Sequence, residues 1–146
     1  MPGATYHRRM ATLLAHITVK PGCEAAFEEI ARPLYEATHA EETGVRRYEY
    51  WRGAEPQTYY CLLAFDDHRA FIAHQTSDHH EGAVPQLHET IEELRLEWLD
   101  PVQGASPLPP TEEQDAPPEA TGLVAEYTYR YAADLAPWWS DLRTGS

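Results

Sequence analysis

The segment of residues 58–94 constrains the fold more than any other part of the chain. It begins with an apolar, β-rich run, TYYCLLAF, that stops at Asp66 and Asp67. A short helical pattern follows over residues 67–75, and a longer one over residues 78–94 carries an apolar stripe at intervals of three and four residues. The acidic and serine residues before each pattern are typical helix N-caps. The segment therefore predicts a strand followed by a broken pair of helices.

Similar patterns on either side of this segment complete a domain. Strands are predicted at residues 12–19, 45–52, 58–65 and 96–102, and a first helix at residues 24–39, which Pro33 is expected to kink. With the two later helices counted as one broken crossover, the order β-α-β-β-α-α-β is the ferredoxin-like split βαβ plan. The predicted fold class is α+β, with helices on one face of an antiparallel sheet. The other face should remain apolar and pack against a partner sheet.

The composition changes after residue 103. Five prolines among acidic residues predict an extended linker over residues 104–121. Residues 123–131 then alternate, with three tyrosines on one face, and predict a fifth strand within a C-terminal arm of residues 122–146. A lone strand is not stable in water, so the arm must dock on its own subunit or on a partner subunit, and we expect docking across a dimer. The predicted core domain is residues 1–103.

The charge of the chain excludes several classes of partner. The formal net charge is −13, with 11 basic and 24 acidic residues, which disfavours binding to nucleic acid and to anionic membranes. No apolar run approaches the roughly 20 residues that span a bilayer, and we expect no signal peptide. Cys23 and Cys61 form no disulfide or metal-binding pattern. A cytoplasmic location is the expectation.

Three histidines, His74, His79 and His80, lie at the joint between the two predicted helices. Because the pKa of imidazole suits proton transfer near neutral pH, His74 and His79 are the catalytic candidates. Each also has a structural interpretation: His74 could cap its helix end, and His79 could brace the joint. His80 is expected to be exposed. The spacing of five and six residues lacks the i, i+4 pair of a helical metal site, so we predict no metal.

Aromatic residues along the predicted strands are candidates for a ligand-binding wall. Flat aromatic ligands need apolar walls with a few polar groups, although ordinary sheet core has the same composition. Tyr48 and Tyr50 share one face of their strand, whereas Arg47 and Trp51 share the other, and the sequence does not decide which face holds a cavity. The substrate-binding candidates are Arg47, Tyr48, Tyr50, Trp51, Phe65 and Trp98.

Several short motifs occur together in a specific order. They are Val19-Lys20-Pro21-Gly22, Glu42-Thr43-Gly44, Arg47-Tyr48-Glu49, and Ala73-His74 with Ser77-Asp78-His79. In this order and spacing, residues 12–103 resemble the antibiotic biosynthesis monooxygenase family of dimeric α+β barrels. The last motif is similar to the family's His plus Ser-x-His segment.

This resemblance implies a homodimer and a cofactor-independent monooxygenase. The expected substrates are dioxygen and a small electron-rich aromatic compound such as a quinol, an anthrone or another polyketide intermediate. Because one fold supports many reactions, two alternatives stay open. One is a non-oxidative isomerase, cyclase or lyase, and the other is a non-catalytic binding or assembly subunit.

Overall fold

The computed structural model describes residues 10–134, which form four strands and four helices. In chain order these are β1 (Ala11–Val19), α1 (Glu24–Glu41), β2 (Val45–Arg52), β3 (Thr58–Phe65), α2 (His68–Gln75), α3 (Asp78–Thr90), β4 (Ile91–Trp98) and α4 (Gly122–Arg130). Within residues 10–134, no helix is both long enough and apolar enough to cross a bilayer.

The four strands form one sheet in the order β2-β3-β1-β4. All three pairings are antiparallel, and β1 lies at the centre, where Ile17 faces Tyr59 on one side and Leu94 on the other. With the helical connections after β1 and β3, this order is the ferredoxin-like arrangement. The predicted α+β class and split βαβ plan are therefore confirmed.

The two faces of the sheet differ in character. Side chains alternate between faces along a strand, so Leu13, Ala15 and Ile17 of β1 point to the same side. These residues are buried together with Phe27 and Leu34 of α1, which places the core between the sheet and the helices. The opposite face carries, among others, Leu14, His16, Tyr60, Leu62 and Trp51.

Helices α2 and α3 each begin at a side-chain cap. Asp67 caps α2, since its Oδ1 accepts a hydrogen bond from the Ala70 amide at 2.8 Å. Ser77 caps α3 by accepting from the His80 amide at 3.2 Å. Each cap satisfies an amide that has no partner within its own helix. At the joint itself, the Thr76 hydroxyl donates to the Ile72 carbonyl at 2.9 Å and the Ser77 hydroxyl to the His74 carbonyl at 2.7 Å, so α2 ends and α3 starts within two residues.

The structure corrects the boundary between α3 and β4. The helix was expected to continue to residue 94 and the strand to begin at residue 96, but the helix ends at Thr90 and the strand runs over Ile91–Trp98. Leu94 fits either a helical stripe or an alternating strand, so the local pattern is ambiguous. Pairing with β1 resolves it, because Leu94 lies opposite Ile17 in the sheet.

The fifth strand predicted at residues 123–131 is wrong, because Gly122–Arg130 form helix α4. In a strand Tyr127 and Tyr129 would share a face, whereas in the structure they are 8% and 89% exposed. Leu123, Val124 and Tyr127 instead pack together on the core side of the helix. The sequence also fits this helical spacing, and packing against α2 selects it. The last part of the predicted arm, from residue 135, lies outside the described residues.

The proline-rich segment before α4 packs on its own domain. Thr111 is fully buried, forms a bridge with Met10, and its Oγ1 accepts from the Thr12 amide at 3.1 Å. Further along, the Gln114 amide donates to His68 Nδ1 at 2.8 Å. The other ring nitrogen, Nε2, then carries the proton and donates to the Tyr131 carbonyl at 3.0 Å. His68 therefore ties both sides of α4 to α2.

Candidate active site

A cavity of about 650 Å³ lies between the sheet and the helices. Its floor is the helix-facing side of the sheet, and its walls come from α1, α3 and the C-terminal segment. The side chains that line it include Leu13, Ile17, Phe27, Leu34, Tyr48, Tyr50, Leu63, His74, His80, Leu87, Leu96, Trp98, Tyr127 and Tyr131. Its size and mainly apolar lining, with a few polar groups, are typical of small-molecule sites.

His74 is the most buried polar group of this cavity. It lies in the last turn of α2, its side chain is 1% exposed, and its ring packs 4.8 Å from that of Tyr48. Its Nδ1 contacts Glu42 Oε2 at 2.8 Å. A carboxylate at Nδ1 holds the proton there and leaves Nε2 as the acceptor, which is the arrangement that a histidine base requires.

Glu42 joins His74 to His79. It follows the last residue of α1, and its Oε2 also contacts His79 Nε2 at 2.6 Å. Burial by itself would raise the pKa of Glu42, but the hydrogen bonds and charges of His74 and His79 outweigh burial and hold the pKa below its usual value. Glu42 is therefore ionised at neutral pH and is the anionic centre of the cluster.

His80 lines the cavity, so the expectation that it is exposed is wrong. Its side chain is 17% exposed, and its ring lies 5.0 Å from that of His74. Burial, with the nearby His74 as a second cause, lowers the pKa of His80 to about 4, which keeps the ring neutral at neutral pH. Its Nδ1 is buried and has no hydrogen-bond partner among the described residues.

Tyr48 and Tyr50 place two hydroxyl groups together in the cavity. Their oxygens are 2.7 Å apart, and both residues project from the helix-facing side of β2. Burial raises the pKa of each phenol above its ordinary value. Both therefore remain protonated at neutral pH, and the pair can donate a hydrogen bond to an oxygen of a bound ligand.

The structure brings together some of the predicted site residues and separates others. Tyr48, Tyr50, Trp98 and His74 line the cavity. Phe65 is fully buried beneath His74, at a ring distance of 5.4 Å, and contributes packing.

The other predicted site residues lie elsewhere. His79 does not line the cavity; it lines a groove between α1 and α3 and shares Glu42 with His74. Arg47 and Trp51 lie on the opposite face of the sheet, because side chains alternate along β2.

Sequence reasoning did not assign three parts of this site. Glu42 is more than 30 residues from the histidines along the chain, and the only signal for it was its place in one of the family-like motifs. For His80, the sequence gives no sign of a site role other than its position beside His79 at the helix joint. The wall formed by Tyr127 and Tyr131 was hidden because the alternating pattern favoured a strand.

Glu42, His74 and His79 also form a group that could hold a metal ion. Each offers one ligand atom, and the three atoms lie within 4.8 Å of one another. The spacing of the histidines at one joint does not predict this group, because the carboxylate comes from the end of a different helix, α1.

The fold and the cavity define a class: a ferredoxin-like α+β domain with a mainly apolar small-molecule site between sheet and helices. Within this class, the antibiotic biosynthesis monooxygenase family model matches residues 10–86, which is more than half of the 146 residues. The chain belongs to the antibiotic biosynthesis monooxygenase family. A search of curated proteins gave no significant match.

Solved structures agree with this assignment. A protein from Caulobacter crescentus, provisionally named an antibiotic biosynthesis monooxygenase, is 26% identical, with a TM-score of 0.62 over 66% of this chain and 92% of that one. A Nitrosomonas europaea protein of the same provisional name is 17% identical, with a TM-score of 0.61 over 69% and 98%. The Mycobacterium tuberculosis protein Rv0793 is 20% identical, with a TM-score of 0.60 over 66% and 99%. The last two show the fold alone.

Proposed function

We propose that this protein is a cofactor-independent monooxygenase that oxidises an electron-rich aromatic compound, such as a quinol, an anthrone or a related polyketide intermediate. The observation that carries the proposal is a buried histidine, His74, in an aromatic cavity, with Glu42 at 2.8 Å from Nδ1. This arrangement supplies a buried base in a mainly apolar site. The family membership supports oxygenation as the reaction class.

The chemistry requires little from the protein. His74 takes a proton from the substrate, and the resulting anion is electron-rich enough to pass an electron to dioxygen. A carbon–oxygen bond then forms, and the terminal peroxide oxygen takes the proton back from His74 to give a hydroperoxide. Its O–O bond breaks as the remaining C–H proton leaves, which yields a carbonyl group and water. For an anthrone, one CH₂ group and one O₂ become C=O and H₂O, so the substrate supplies all four electrons.

The other cavity residues have roles that follow from their positions. The hydroxyl pair of Tyr48 and Tyr50 donates a hydrogen bond to the substrate oxygen on which negative charge develops. The apolar lining excludes water and holds dioxygen beside the ring. Glu42 and His79 keep the His74 ring in one orientation and tautomer.

Oxygen consumption with a panel of quinols and anthrones, measured in chelator against the uncatalysed background, tests this proposal. We expect uptake by the wild type and a loss of about 100-fold or more in the His74→Ala variant, the usual contribution of a positioned base. His16→Ala is the matched control, because His16 is also paired with a carboxylate but lies on the other face of the sheet.

Different outcomes favour the alternatives. Wild-type protein that exchanges a substrate proton without oxygen uptake would favour the isomerase, cyclase or lyase reaction. Binding of an aromatic ligand without any turnover would favour a binding subunit. Uptake that is equal in the wild type and His74→Ala would refute the assigned base while leaving oxygenation in place.

We further propose a homodimer formed by the outer face of the sheet. Trp51 is 60% exposed and Tyr60 is 38% exposed on this face, next to the half-buried Leu14 and Leu62. An apolar sheet face of this kind favours a partner surface. Light scattering should give a dimer for the wild type and a monomer for Leu62→Asp, and a monomeric wild type would refute the assembly.

A further inference from the structure

The cluster of Glu42, His74 and His79 has the composition of a metal site. One carboxylate oxygen, Glu42 Oε2, lies 2.8 Å from His74 Nδ1 and 2.6 Å from His79 Nε2. The three residues come from the end of α1, the last turn of α2 and the first turn of α3. Three helix ends therefore deliver two imidazoles and a carboxylate to one point.

We propose that this cluster binds a first-row divalent transition metal ion, with Zn²⁺ as the ion of first test. Two histidines and one carboxylate are an established ligand set for zinc, with the fourth position left to water. Imidazole also favours the first-row transition metals over magnesium and calcium.

The change in geometry that binding requires is small. Zinc bonds to nitrogen and oxygen are about 2.0–2.2 Å long, so neighbouring ligand atoms of a tetrahedral site are about 3.4 Å apart. The two contacts to Glu42 Oε2 must lengthen by less than about 1 Å from their present 2.6 and 2.8 Å. The two nitrogens lie within 4.8 Å of each other and must approach to the same distance. Side-chain rotations of this size leave the helices in place.

The second ring nitrogen of His79 also suits metal binding. The ion takes the place of the protons on His74 Nδ1 and His79 Nε2, and each ring then carries its proton on the other nitrogen. For His79 that nitrogen lies 3.5 Å from Glu41 Oε2, and a carboxylate in this position is the usual partner of a metal-bound imidazole. For His74 it is Nε2, the nitrogen left for the cavity.

An ion can reach the cluster from solvent. His79 lines a groove of about 680 Å³ between α1 and α3, and its side chain is 16% exposed. Glu41 is 66% exposed beside it, and the whole chain carries a formal charge of −13. Negative potential of this kind raises the local concentration of cations.

Metal binding and the proposed oxygenation are separable. A metal on His74 Nδ1 leaves a proton on Nε2, so the loaded protein presents a donor to the cavity in place of a base. Zinc should therefore inhibit turnover, but binding is measured without substrate. Failure of the oxygenation assay leaves the binding result intact, and the reverse also holds.

The test is calorimetric titration of ZnCl₂ into the full chain, without an affinity tag and after chelator treatment and its removal. We expect one saturable site per chain in the wild type, and with Co²⁺ the visible absorption of a four-coordinate ion. Glu42→Gln and His79→Ala should each lose this site. His16→Ala should keep it, because the pair of His16 and Glu97 has no third ligand of this kind among residues 10–134.

Three results would overturn the proposal: no saturable binding by the wild type, unchanged binding by both cluster variants, or loss of binding in His16→Ala. Circular dichroism checks that each variant is folded. Glu42 is 13% exposed, so its replacement could disturb the joint, whereas His79 lies at the groove surface. If Glu42→Gln is unfolded, His79→Ala decides the question alone.

Discussion

Replacing His68 with alanine should release α4 from the domain. His68 is 1% exposed, accepts from the Gln114 amide at 2.8 Å and donates to the Tyr131 carbonyl at 3.0 Å. The substitution leaves both backbone groups without this partner, and a buried polar group in that condition costs about 1–3 kcal/mol. Together the two unpaired groups should lower the free energy of unfolding by roughly 2–6 kcal/mol. The loss of ring packing against Trp98 adds to it.

This loss is a large fraction of the 5–15 kcal/mol by which a domain of this kind is typically stable. Among residues 10–134, few other side-chain hydrogen bonds hold the helix and the residues after it. Trp98 Nε1 donates to the Ala132 carbonyl at 3.1 Å, the Tyr127 hydroxyl donates to Glu81 at 3.0 Å, and Glu113 accepts from the Ala133 amide at 2.6 Å. We therefore expect α4 to detach before the sheet unfolds. Because Tyr127 lines the cavity, the variant should also bind its substrate more weakly.

Hydrogen exchange is the assay, with urea unfolding as its complement. Amides of residues 122–131 should exchange faster in His68→Ala, while those of β1 and β3 should keep most of their protection. Arg69→Ala is the control, since its side chain donates only to the Asp115 carbonyl, at 3.2 Å at the surface, and should change stability by no more than about 0.5 kcal/mol. Unchanged exchange in α4 together with an unchanged urea midpoint would refute the assigned role of His68.

Two further predictions concern stability. Gly44→Ala should lower the free energy of unfolding, measured by urea, by about 1–3 kcal/mol, because the added Cβ would lie 2.7 Å from Ala70 Cβ. Gly82→Ala, in the open part of α3, should instead raise it by about 0.5–1 kcal/mol. Equal effects of the two substitutions would contradict the close packing at Gly44. Hydrogen bonds from Arg52 and then Tyr59 lower the pKa of Glu28, so this carboxylate stabilises the fold above its usual pKa of 4.5 and loses its effect as pH falls below that value. Urea midpoints of Glu28→Gln should therefore fall less than those of the wild type on acidification, and parallel curves would refute the linkage.

The sequence determined the fold class because most of the patterns that define it are local. The β2 segment alternates and the β3 segment is an apolar, β-rich run, and turn residues separate the two. Their bounds, Val45–Arg52 and Thr58–Phe65, match the predicted ones. The cap candidates, Asp66 or Asp67 and Ser77 or Asp78, also indicated where α2 and α3 begin, and in the structure the caps are Asp67 and Ser77. Strong periodicity bounded by turns and caps leaves a segment few stable conformations, so neighbours in sequence are enough to predict it.

The candidate site was predicted only in part, because it is assembled from distant segments. The joint with His74 was identified from the sequence, since residue type and local spacing were sufficient. Neither the contact of Glu42 with its histidines nor the burial of His80 has a local signal. Which face of β2 lines the cavity also depends on where the helices pack, and this places Tyr48 in the cavity and Trp51 on the outer face.

The C-terminal helix α4 shows most clearly which features the local sequence does not decide. Residues 123–131 alternate like a strand and also place Leu123, Val124 and Tyr127 on one side of a helix. As a helix, the segment buries its apolar side against α2, and the Tyr131 carbonyl that follows it accepts from His68. Periodicity within a segment limits the conformations that the segment can adopt. When two conformations fit, the free energy of packing against the rest of the chain selects between them, and that term is present only in the tertiary structure.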